Sequence, residues 1–238
     1  MPIAFSDPAL PTVLMVGASR GLGLAMAAEF VKAGWNVVGT VRSGARTGLH
    51  DLAEAHGGQV AIETLDINAQ DQIAALRERL SGRTLDMLFV NAGIAAQDQH
   101  QPIGEADTED FVRVMVTNAL SPMRVIDALQ DLVPAGGLIG AMSSGQGSIT
   151  NNEQGLREVY RASKAALNML MRSFAARQAA TPRAMVLLAP GWIRTDLGGP
   201  DAPYTLEESG PLLVDLLVAN RGTPGLRYLD RFGKTVPW

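Results

Sequence analysis

Two side chains that can exchange a proton stand four residues apart, Tyr160 and Lys164. They open a segment of helical periodicity, and residues i and i+4 of a helix lie on one face, about 6 Å apart along the axis. A free phenol has a pKa of about 10, and a neighbouring ammonium favours the phenolate. The pair is therefore expected to act as a general acid or base. The same spacing is also typical of a solvent-exposed pair on a helix, so other motifs must decide whether this pair is catalytic.

A glycine-rich turn is the second feature with chemical meaning. Gly17, Gly21 and Gly23 follow an aliphatic run and open a helical segment. Glycines at such a junction allow a tight turn and a close approach of backbone to a pyrophosphate, while the helix N-terminus supplies free N–H groups. We predict a dinucleotide phosphate site here, although glycines can also simply punctuate a strand–helix turn. The other residues expected to line this site are Ser19, Arg20 and Leu22.

The end of the second predicted strand bears on the choice of nucleotide. An acidic residue at this point would hydrogen-bond a ribose diol and repel a 2′-phosphate. Residues 39–42 read Gly-Thr-Val-Arg and contain no carboxylate. Arg42, together with Arg20 of the glycine turn, can hold a 2′-phosphate through charge-assisted hydrogen bonds. We therefore expect NADP(H) to be favoured over NAD(H), although each arginine alone is equally a candidate for a solvated surface charge.

These residues need a parallel sheet whose carboxyl edge brings them together. Aliphatic and β-branched runs alternate with helical segments, which predicts an α/β fold. We expect one domain over residues 1–238, a doubly wound Rossmann fold with helices on both faces of the sheet. Seven strands are predicted, at residues 12–17, 36–41, 60–64, 87–90, 137–142, 184–188 and 226–229. Helices are predicted at residues 21–33, 44–56, 69–80, 108–132, 159–180 and 205–218, with Thr108 and Thr205 as caps.

Composition argues against several other classes of protein. The chain carries 20 Lys+Arg against 24 Asp+Glu, a net charge of −4, so no nucleic-acid partner is expected. It has no cysteine, which excludes disulfides and thiolate metal sites, and His50, His56 and His100 lack the spacing of metal ligands. Apolar stretches are shorter than the roughly 18 residues of a membrane span, and residues 1–10 lack the features of an export signal. We expect a cytoplasmic protein with no metal and no membrane association.

Two polar motifs flank the fifth predicted strand. Ser143 and Ser144 follow it, and Asn118 lies in the helix before it. With the glycine turn and the Tyr-x-x-x-Lys pair, they resemble the short-chain dehydrogenase/reductase family. The resemblance implies that Ser144 polarises a substrate carbonyl and that Tyr160 protonates it. It also implies that Lys164 lowers the phenol pKa and binds the nicotinamide ribose, while Asn118 holds a water. Ser143 is the rival serine, and purely local backbone roles stay open for the serines and Asn118.

Three more segments extend the resemblance to the ends of other strands. The positions at which it implies cofactor contact are Asp66 and Ile67 after the third strand, Asn91, Ala92 and Gly93 after the fourth, and Pro190, Ile193 and Thr195 after the sixth. A helix N-cap is the alternative role for Asp66, and plain turns are the alternative for the other two segments. The interval from Ser144 to Tyr160 is a few residues longer than in most of the family. Residues 151–155 are therefore expected to alter the substrate mouth.

The tyrosine helix, the Pro-Gly-Trp loop and the terminal Pro237 and Trp238 look most like the carbonyl-reductase and C-factor-like branch. This implies NADPH-dependent reduction of a ketone, aldehyde or quinone to an alcohol, in a pocket near Ile94, Gln146, Trp192 and Tyr204. Two alternatives stay open, an NAD-linked alcohol dehydrogenase and a nucleotide-binding signalling or regulatory protein with little turnover. Relatives often pair through the long helices around the fifth strand, so a homodimer or homotetramer is expected.

Overall fold

One parallel sheet forms the centre of the molecule. The computed structural model describes residues 3–181 and 183–238. The strands are Thr12–Val16 (β1), Asn36–Val41 (β2), Val60–Thr64 (β3), Met87–Val90 (β4), Leu138–Met142 (β5), Ala184–Ala189 (β6) and Gly225–Asp230 (β7). Their order is β3-β2-β1-β4-β5-β6-β7, with every neighbouring pair parallel. The order reverses between β1 and β4, and ligands bind doubly wound folds at such a switch point.

The α/β doubly wound fold and all seven predicted strands are confirmed. Three strands have the predicted bounds, and the other four differ by no more than one residue at either end. For example, β1 ends at Val16 because the next residue, Gly17, turns away with a φ of +86°. Residues 1 and 2, which belong to the segment expected to lack an export signal, lie outside the described residues.

Seven α-helices cover the two faces of the sheet in the described chain. They are Gly21–Lys32 (α1), Gly48–Ala55 (α2), Gln70–Arg79 (α3), Thr108–Met115 (α4), Ser121–Leu129 (α5), Glu158–Arg177 (α6) and Leu206–Asn220 (α7). Alternate residues of a strand point to opposite faces. Leu14 of β1 therefore packs with residues of α3, α5 and α6, whereas its neighbour Met15 packs with residues of α1, α2 and α7. Both faces are apolar, which explains why the strands are continuous hydrophobic runs.

The long helix predicted for residues 108–132 is interrupted. A π-helical turn at Val116–Leu120 separates α4 from α5, and Gln130–Leu132 form a 3₁₀ turn. Thr108 is not the cap of α4, because Asp107 precedes it with an extended backbone and accepts a hydrogen bond from Asp110 N at 2.8 Å. Asp107 and Thr108 are both residue types that can cap a helix, and the prediction of Thr108 is wrong.

Two other helix starts test the sequence-based boundaries. Thr205 caps α7 as predicted, since its hydroxyl accepts from Glu208 N at 3.2 Å while the Glu208 carboxylate accepts from Thr205 N at 2.9 Å. The second helix begins at Gly48 rather than at residue 44. Its start is set by Thr47, whose backbone N donates to His50 Nδ1 at 3.1 Å. Within residues 3–181 and 183–238, no helix combines the length and hydropathy that crossing a bilayer requires.

Candidate active site

The residues predicted to do chemistry meet in one cleft at the carboxyl edge of the sheet. The cleft has a volume of about 860 Å³ and spans the switch point between β1 and β4. Every residue predicted for catalysis or cofactor binding lines it except Gly23 and Asn118, which are buried. The parallel arrangement of the strands explains this convergence, because all their carboxyl ends reach the same edge.

The glycine turn is packed too closely for larger residues. A Cβ on Gly23 would stand 2.0 Å from Gly17 O, and one on Gly17 would meet Ala92 at 2.9 Å. Asn91 ties the turn to the end of β4, because its Nδ2 donates to Gly17 O at 2.8 Å. The first turn of α1 has no side-chain cap and no acidic residue, so its N–H groups are free, and Gly21 and Leu22 of this turn line the cleft. This donor set fits the pyrophosphate of a dinucleotide.

The two arginines expected at a 2′-phosphate both line the cleft, but they differ in their contacts. Arg42 is exposed at the end of β2. Arg20 forms an ion pair with Asp196, with 2.8 Å between Nη1 and Oδ2, and both side chains are more than three-quarters exposed. Exposed ion pairs of this kind contribute about 0–1 kcal/mol, so a competing anion can displace the Asp196 carboxylate. The pairing joins the glycine turn to the segment after β6, and sequence reasoning did not foresee it.

Tyr160 and Lys164 lie on the cleft side of α6 and are almost completely buried, with 9% and 3% exposure. The Lys164 ammonium lies 5.8 Å from the centre of the Tyr160 ring and donates a hydrogen bond to Met142 O at 2.9 Å. Burial disfavours the charged form of each group. It lowers the pKa of Lys164 to about 8 and raises the pKa of Tyr160 to about 12.

Burial of the negative charge is the largest influence on the pKa of the Tyr160 phenol. The expected effect of the Lys164 ammonium on the phenol stays a prediction. The Ser144 side chain and the Arg157 cation lower the phenol pKa against the larger effect of burial. Tyr160 is therefore a protonated phenol at neutral pH in this structure.

The two serines after β5 have different surroundings. Ser143 is 2% exposed, and its hydroxyl donates to Asn168 Oδ1 at 2.6 Å. Ser144 is half-buried on the cleft wall, where its Oγ accepts from Gln146 N at 3.1 Å. The Ser144 side chain also reaches the Tyr160 phenol and lowers its pKa through a hydrogen bond. Both serines line the cleft, and Ser144 is the less buried of the two.

Asn118 lies in the π-helical turn and is fully buried. Its Nδ2 donates to Ile94 O at 2.8 Å and to Ser163 Oγ at 3.0 Å, and its Oδ1 accepts from Ile94 N at 2.8 Å. The Asn118 side chain therefore ties the loop after β4, at Ile94, to Ser163 of α6. A Cβ on Gly93 would stand 3.3 Å from both Asn118 Oδ1 and Lys164 Nζ, so these groups share one corner of the site.

Other predicted residues have mixed outcomes. Asp66 is not a helix N-cap, because the cap position of α3 is Ala69; its carboxylate instead accepts from Asn68 N at 2.9 Å and lines the cleft. Of the expected pocket residues, Ile94 lines the cleft, whereas Gln146, Trp192 and Tyr204 do not. In Trp192 the indole Nε1 donates to Gly198 O at 2.6 Å, which holds the loop after β6 closed on itself.

Three supporting residues escaped sequence reasoning. Thr40 Oγ1 accepts from Gly17 N at 2.9 Å and anchors the glycine turn. Asn168 binds Ser143 and also donates to Gly147 O at 3.2 Å, and the Tyr228 hydroxyl donates to Ser144 O. Asn168 could have been found, because it lies one helical turn beyond Lys164 on the same face. Thr40 and Tyr228 carry no such local signal.

Comparisons with known proteins agree with this geometry. Residues 11–203 match the family model described as short chain dehydrogenase. The chain belongs to the short-chain dehydrogenase family. It is accordingly an NAD(P)-dependent oxidoreductase, and it falls in the carbonyl-reductase and C-factor-like branch of that family, as predicted.

Individual relatives of this short-chain dehydrogenase include solved structures. A short-chain dehydrogenase/reductase from Burkholderia multivorans with bound NADP is 64% identical, with a TM-score of 0.95 over 96% of this chain and 100% of that one. A carbonyl reductase from Pseudomonas aeruginosa PAO1 in complex with NADP is 37% identical, with a TM-score of 0.86 over 97% and 100% of the two chains. C-signal from Myxococcus xanthus is 35% identical over 156 residues, which are 65% of this chain and 93% of that protein.

The glycine turn yields a direct test. Gly23→Ala places a methyl group against Gly17 O, so we expect about 100-fold weaker NADPH binding and a loss of about 1–3 kcal/mol in the free energy of unfolding. Fluorescence titration and urea denaturation measure the two effects. Gly136→Ala is the matched control, because no atom lies within 4 Å of the position that its methyl group would take. Wild-type NADPH affinity in Gly23→Ala would contradict the close packing described above.

Proposed function

We propose that this protein reduces the carbonyl group of a small molecule to an alcohol with NADPH, and that Tyr160 donates the proton. The observation that carries the proposal is the buried Tyr160 and Lys164 pair on the same cleft as the glycine turn. When bound, NADPH supplies the hydride that adds to the carbonyl carbon. Tyr160 delivers a proton to the carbonyl oxygen, and the products are an alcohol and NADP⁺.

The state of Tyr160 suits this direction of reaction. Its pKa of about 12 means that the phenol holds its proton at neutral pH and can give it to a developing alkoxide. Ser144, whose side chain hydrogen-bonds the Tyr160 phenol in this structure, would donate a hydrogen bond to the same oxygen when substrate is bound. Lys164, in its protonated form, stabilises the phenolate that remains and binds the ribose beside it.

Asn118, as the resemblance implies, holds a water that connects Lys164 to solvent. Both Nδ2 protons of its side chain are used by Ile94 and Ser163, so the side chain has no donor left for the water, and the backbone of the π-helical turn can supply the contact. A π-helical turn disturbs the regular i→i−4 pattern and is frequent at functional sites. In this proposal the Asn118 side chain positions neighbouring residues of the site. The backbone of the turn binds the water that connects Lys164 to solvent.

Contacts to the remaining parts of the cofactor follow the walls of the cleft. Asp66 and Ile67 would lie at the adenine, and the turn after β4 beside the adenosine. The segment after β6 would hold the carboxamide through Ile193 and Thr195. Thr195 is already ordered for this role, because its Oγ1 accepts from Gly198 N at 3.0 Å.

Two other functions remain as alternatives, and the site bears on both. The likeness to C-signal is the ground for a nucleotide-binding signalling protein, and the intact set of Ser144, Tyr160 and Lys164 on one cleft argues against little turnover. An NAD-linked alcohol dehydrogenase would use the same residues in reverse. The absence of a carboxylate in residues 39–42 argues for NADP(H) over NAD(H).

Assembly into a homodimer or homotetramer is part of the same proposal. Large apolar side chains are exposed on the helices around β5, among them Val112, Leu120 and Met169, with 50%, 40% and 63% exposure. Burial of such side chains between two copies of the chain would be favourable.

Tyr160→Phe tests the proton donor. We expect carbonyl reduction to fall by about 1,000-fold or more, because no other acid takes the position of the phenol, while the NADPH dissociation constant stays within about a factor of ten. Absorbance of NADPH in the presence of aldehydes, ketones and quinones follows turnover. Undiminished turnover in this variant would remove Tyr160 from its role, and no turnover by the wild type would favour the signalling alternative.

The pH dependence tests the charge of Lys164. Since reduction needs the ammonium form and its pKa is about 8, kcat/KM for reduction should be constant near pH 6 to 7 and fall as the pH rises through about 8. Lys164→Arg keeps the cation at all these pH values, so the fall in kcat/KM of this variant should move beyond about pH 10. Identical profiles for the two proteins would show that another group titrates.

Arg42→Ala tests the cofactor preference. We expect the NADPH dissociation constant to rise by about tenfold and that of NADH to change by less than about twofold, because only NADPH carries a 2′-phosphate. Arg20→Ala should show a smaller loss, since that guanidinium already binds Asp196. Equal affinities of the wild type for NADPH and NADH would overturn the preference.

A further inference from the structure

A buried phenol that the proposed mechanism does not use contacts the serine turn, residues 143–147. Tyr228 of β7 is 1% exposed and packs among the aliphatic residues of the core, on the face of the sheet that α3, α5 and α6 cover. A hydroxyl group in such surroundings costs free energy unless a hydrogen bond satisfies it. Phenylalanine would fill nearly the same volume without that cost. The contact made by the hydroxyl is therefore what distinguishes tyrosine at this position.

The Tyr228 hydroxyl donates a hydrogen bond to the backbone carbonyl of Ser144, the half-buried serine of the cleft wall. The same oxygen accepts a second hydrogen bond from Gly147 N at 2.8 Å. Two donors on one carbonyl restrict the rotation of the peptide group that follows Ser144. Burial raises the pKa of Tyr228, so the phenol keeps the proton that its hydrogen bond requires.

Other contacts limit the movement of both partners. The Tyr228 ring lies against Trp238 with 5.3 Å between the ring centres, and the Tyr228 backbone O accepts from Val236 N at 2.8 Å. On the other side, Gly147 is packed against α6, because a Cβ on this glycine would stand 3.0 Å from Lys164 Cβ. The phenol and the serine turn are therefore held next to each other by groups from β7, the segment after it and α6.

The contact can influence the reaction through the Ser144 side chain. Ser144 and Tyr160 line the same cleft, and in the proposed function the serine hydroxyl binds the carbonyl oxygen. A group misplaced by about 1 Å can slow a reaction about 100-fold. We propose that Tyr228 is a positioning residue for carbonyl reduction, which holds the Ser144 backbone so that the serine hydroxyl meets the carbonyl oxygen. The inference rests on the proposed function, and Tyr228 itself lies outside the lining of the cleft.

Tyr228→Phe removes the hydroxyl and keeps the ring. With 4-nitrobenzaldehyde and NADPH, we expect kcat/KM to fall about tenfold, because the Ser144 carbonyl then keeps only its hydrogen bond from Gly147. The NADPH dissociation constant should change by less than about twofold, since the glycine turn is untouched. Wild-type kcat/KM in Tyr228→Phe would contradict the inference.

A double-mutant cycle with Ser144→Ala separates positioning from a general effect on the fold. Ser144→Ala alone should lower kcat/KM about 100-fold, the loss typical of one hydrogen-bond donor to a developing oxyanion. If Tyr228 acts through the serine hydroxyl, adding Tyr228→Phe to Ser144→Ala should lower kcat/KM by less than a further twofold or so. A tenfold loss in both backgrounds would show that Tyr228 does not act through Ser144 and would overturn the inference.

Val133→Ala is the matched control for a loss of stability. Val133 is a core residue, 2% exposed, and it precedes β5 at the edge of the sheet opposite the cleft. The variant should lower the urea concentration at the midpoint of unfolding, yet change kcat/KM by less than about twofold with either serine or alanine at position 144. A tenfold loss of kcat/KM in Val133→Ala would mean that lost stability alone accounts for Tyr228→Phe, against the inference.

Binding of the product makes the inference testable apart from turnover. No hydride can pass between 4-nitrobenzyl alcohol and NADPH, so calorimetry on their complex with the protein measures affinity alone. One neutral hydrogen bond corresponds to about 2- to 10-fold in binding. Tyr228→Phe should therefore weaken binding of the alcohol about threefold or more when Ser144 is present, and by less than about 1.5-fold in Ser144→Ala.

The two measurements distinguish failure of the inference from failure of the proposed function. The expected binding pattern in a protein that reduces no carbonyl would support the positioning of Ser144 by Tyr228 and would overturn carbonyl reduction as the function. An equal change of affinity in both backgrounds, or no change in either, would overturn the positioning role. Turnover of 4-nitrobenzaldehyde by the wild type would in that case leave carbonyl reduction intact.

Discussion

The active site depends on an ammonium group that is buried at the carboxyl edge of the sheet. Lys164 is 3% exposed, and its hydrogen bond in this structure goes to Met142 O, the last carbonyl of β5. Burying a charge costs free energy that polar neighbours must offset. The backbone around that carbonyl is held in turn by Asn168, which binds Ser143 and Gly147. Lys164, the two serines that follow β5 and the end of that strand are therefore held together by hydrogen bonds.

The same burial acts in opposite directions on the two catalytic groups. It raises the pKa of the Tyr160 phenol and lowers the pKa of the Lys164 ammonium, because each shift favours the neutral form. A protonated phenol beside a partly charged amine is prepared to give a proton to an incoming carbonyl. The cation of Arg157 opposes the shift of the phenol.

Much of the fold and of the site could be predicted because the relevant signals are local. A run such as residues 87–90 is a buried strand by its composition and length alone, and Tyr160 and Lys164 are neighbours by helical spacing alone. The errors arose where local rules allow two answers. Asp107 and Thr108 are both good caps, and only the backbone of Asp107 is extended. In the break at Val116–Leu120, Asn118 accepts a hydrogen bond from Ile94 in the loop after β4, a contact that local sequence does not predict.

By itself, the sequence determined the α/β class, the order of its elements and the types of residue that meet at the sheet edge. These properties follow from hydrophobic periodicity, glycine geometry and the shared direction of parallel strands. Tertiary structure alone decided which serine is bound to Asn168, which acid pairs with Arg20, and how burial moves the pKa of Tyr160. Each of these depends on contacts between residues far apart in the chain, for which residue type and spacing carry no information.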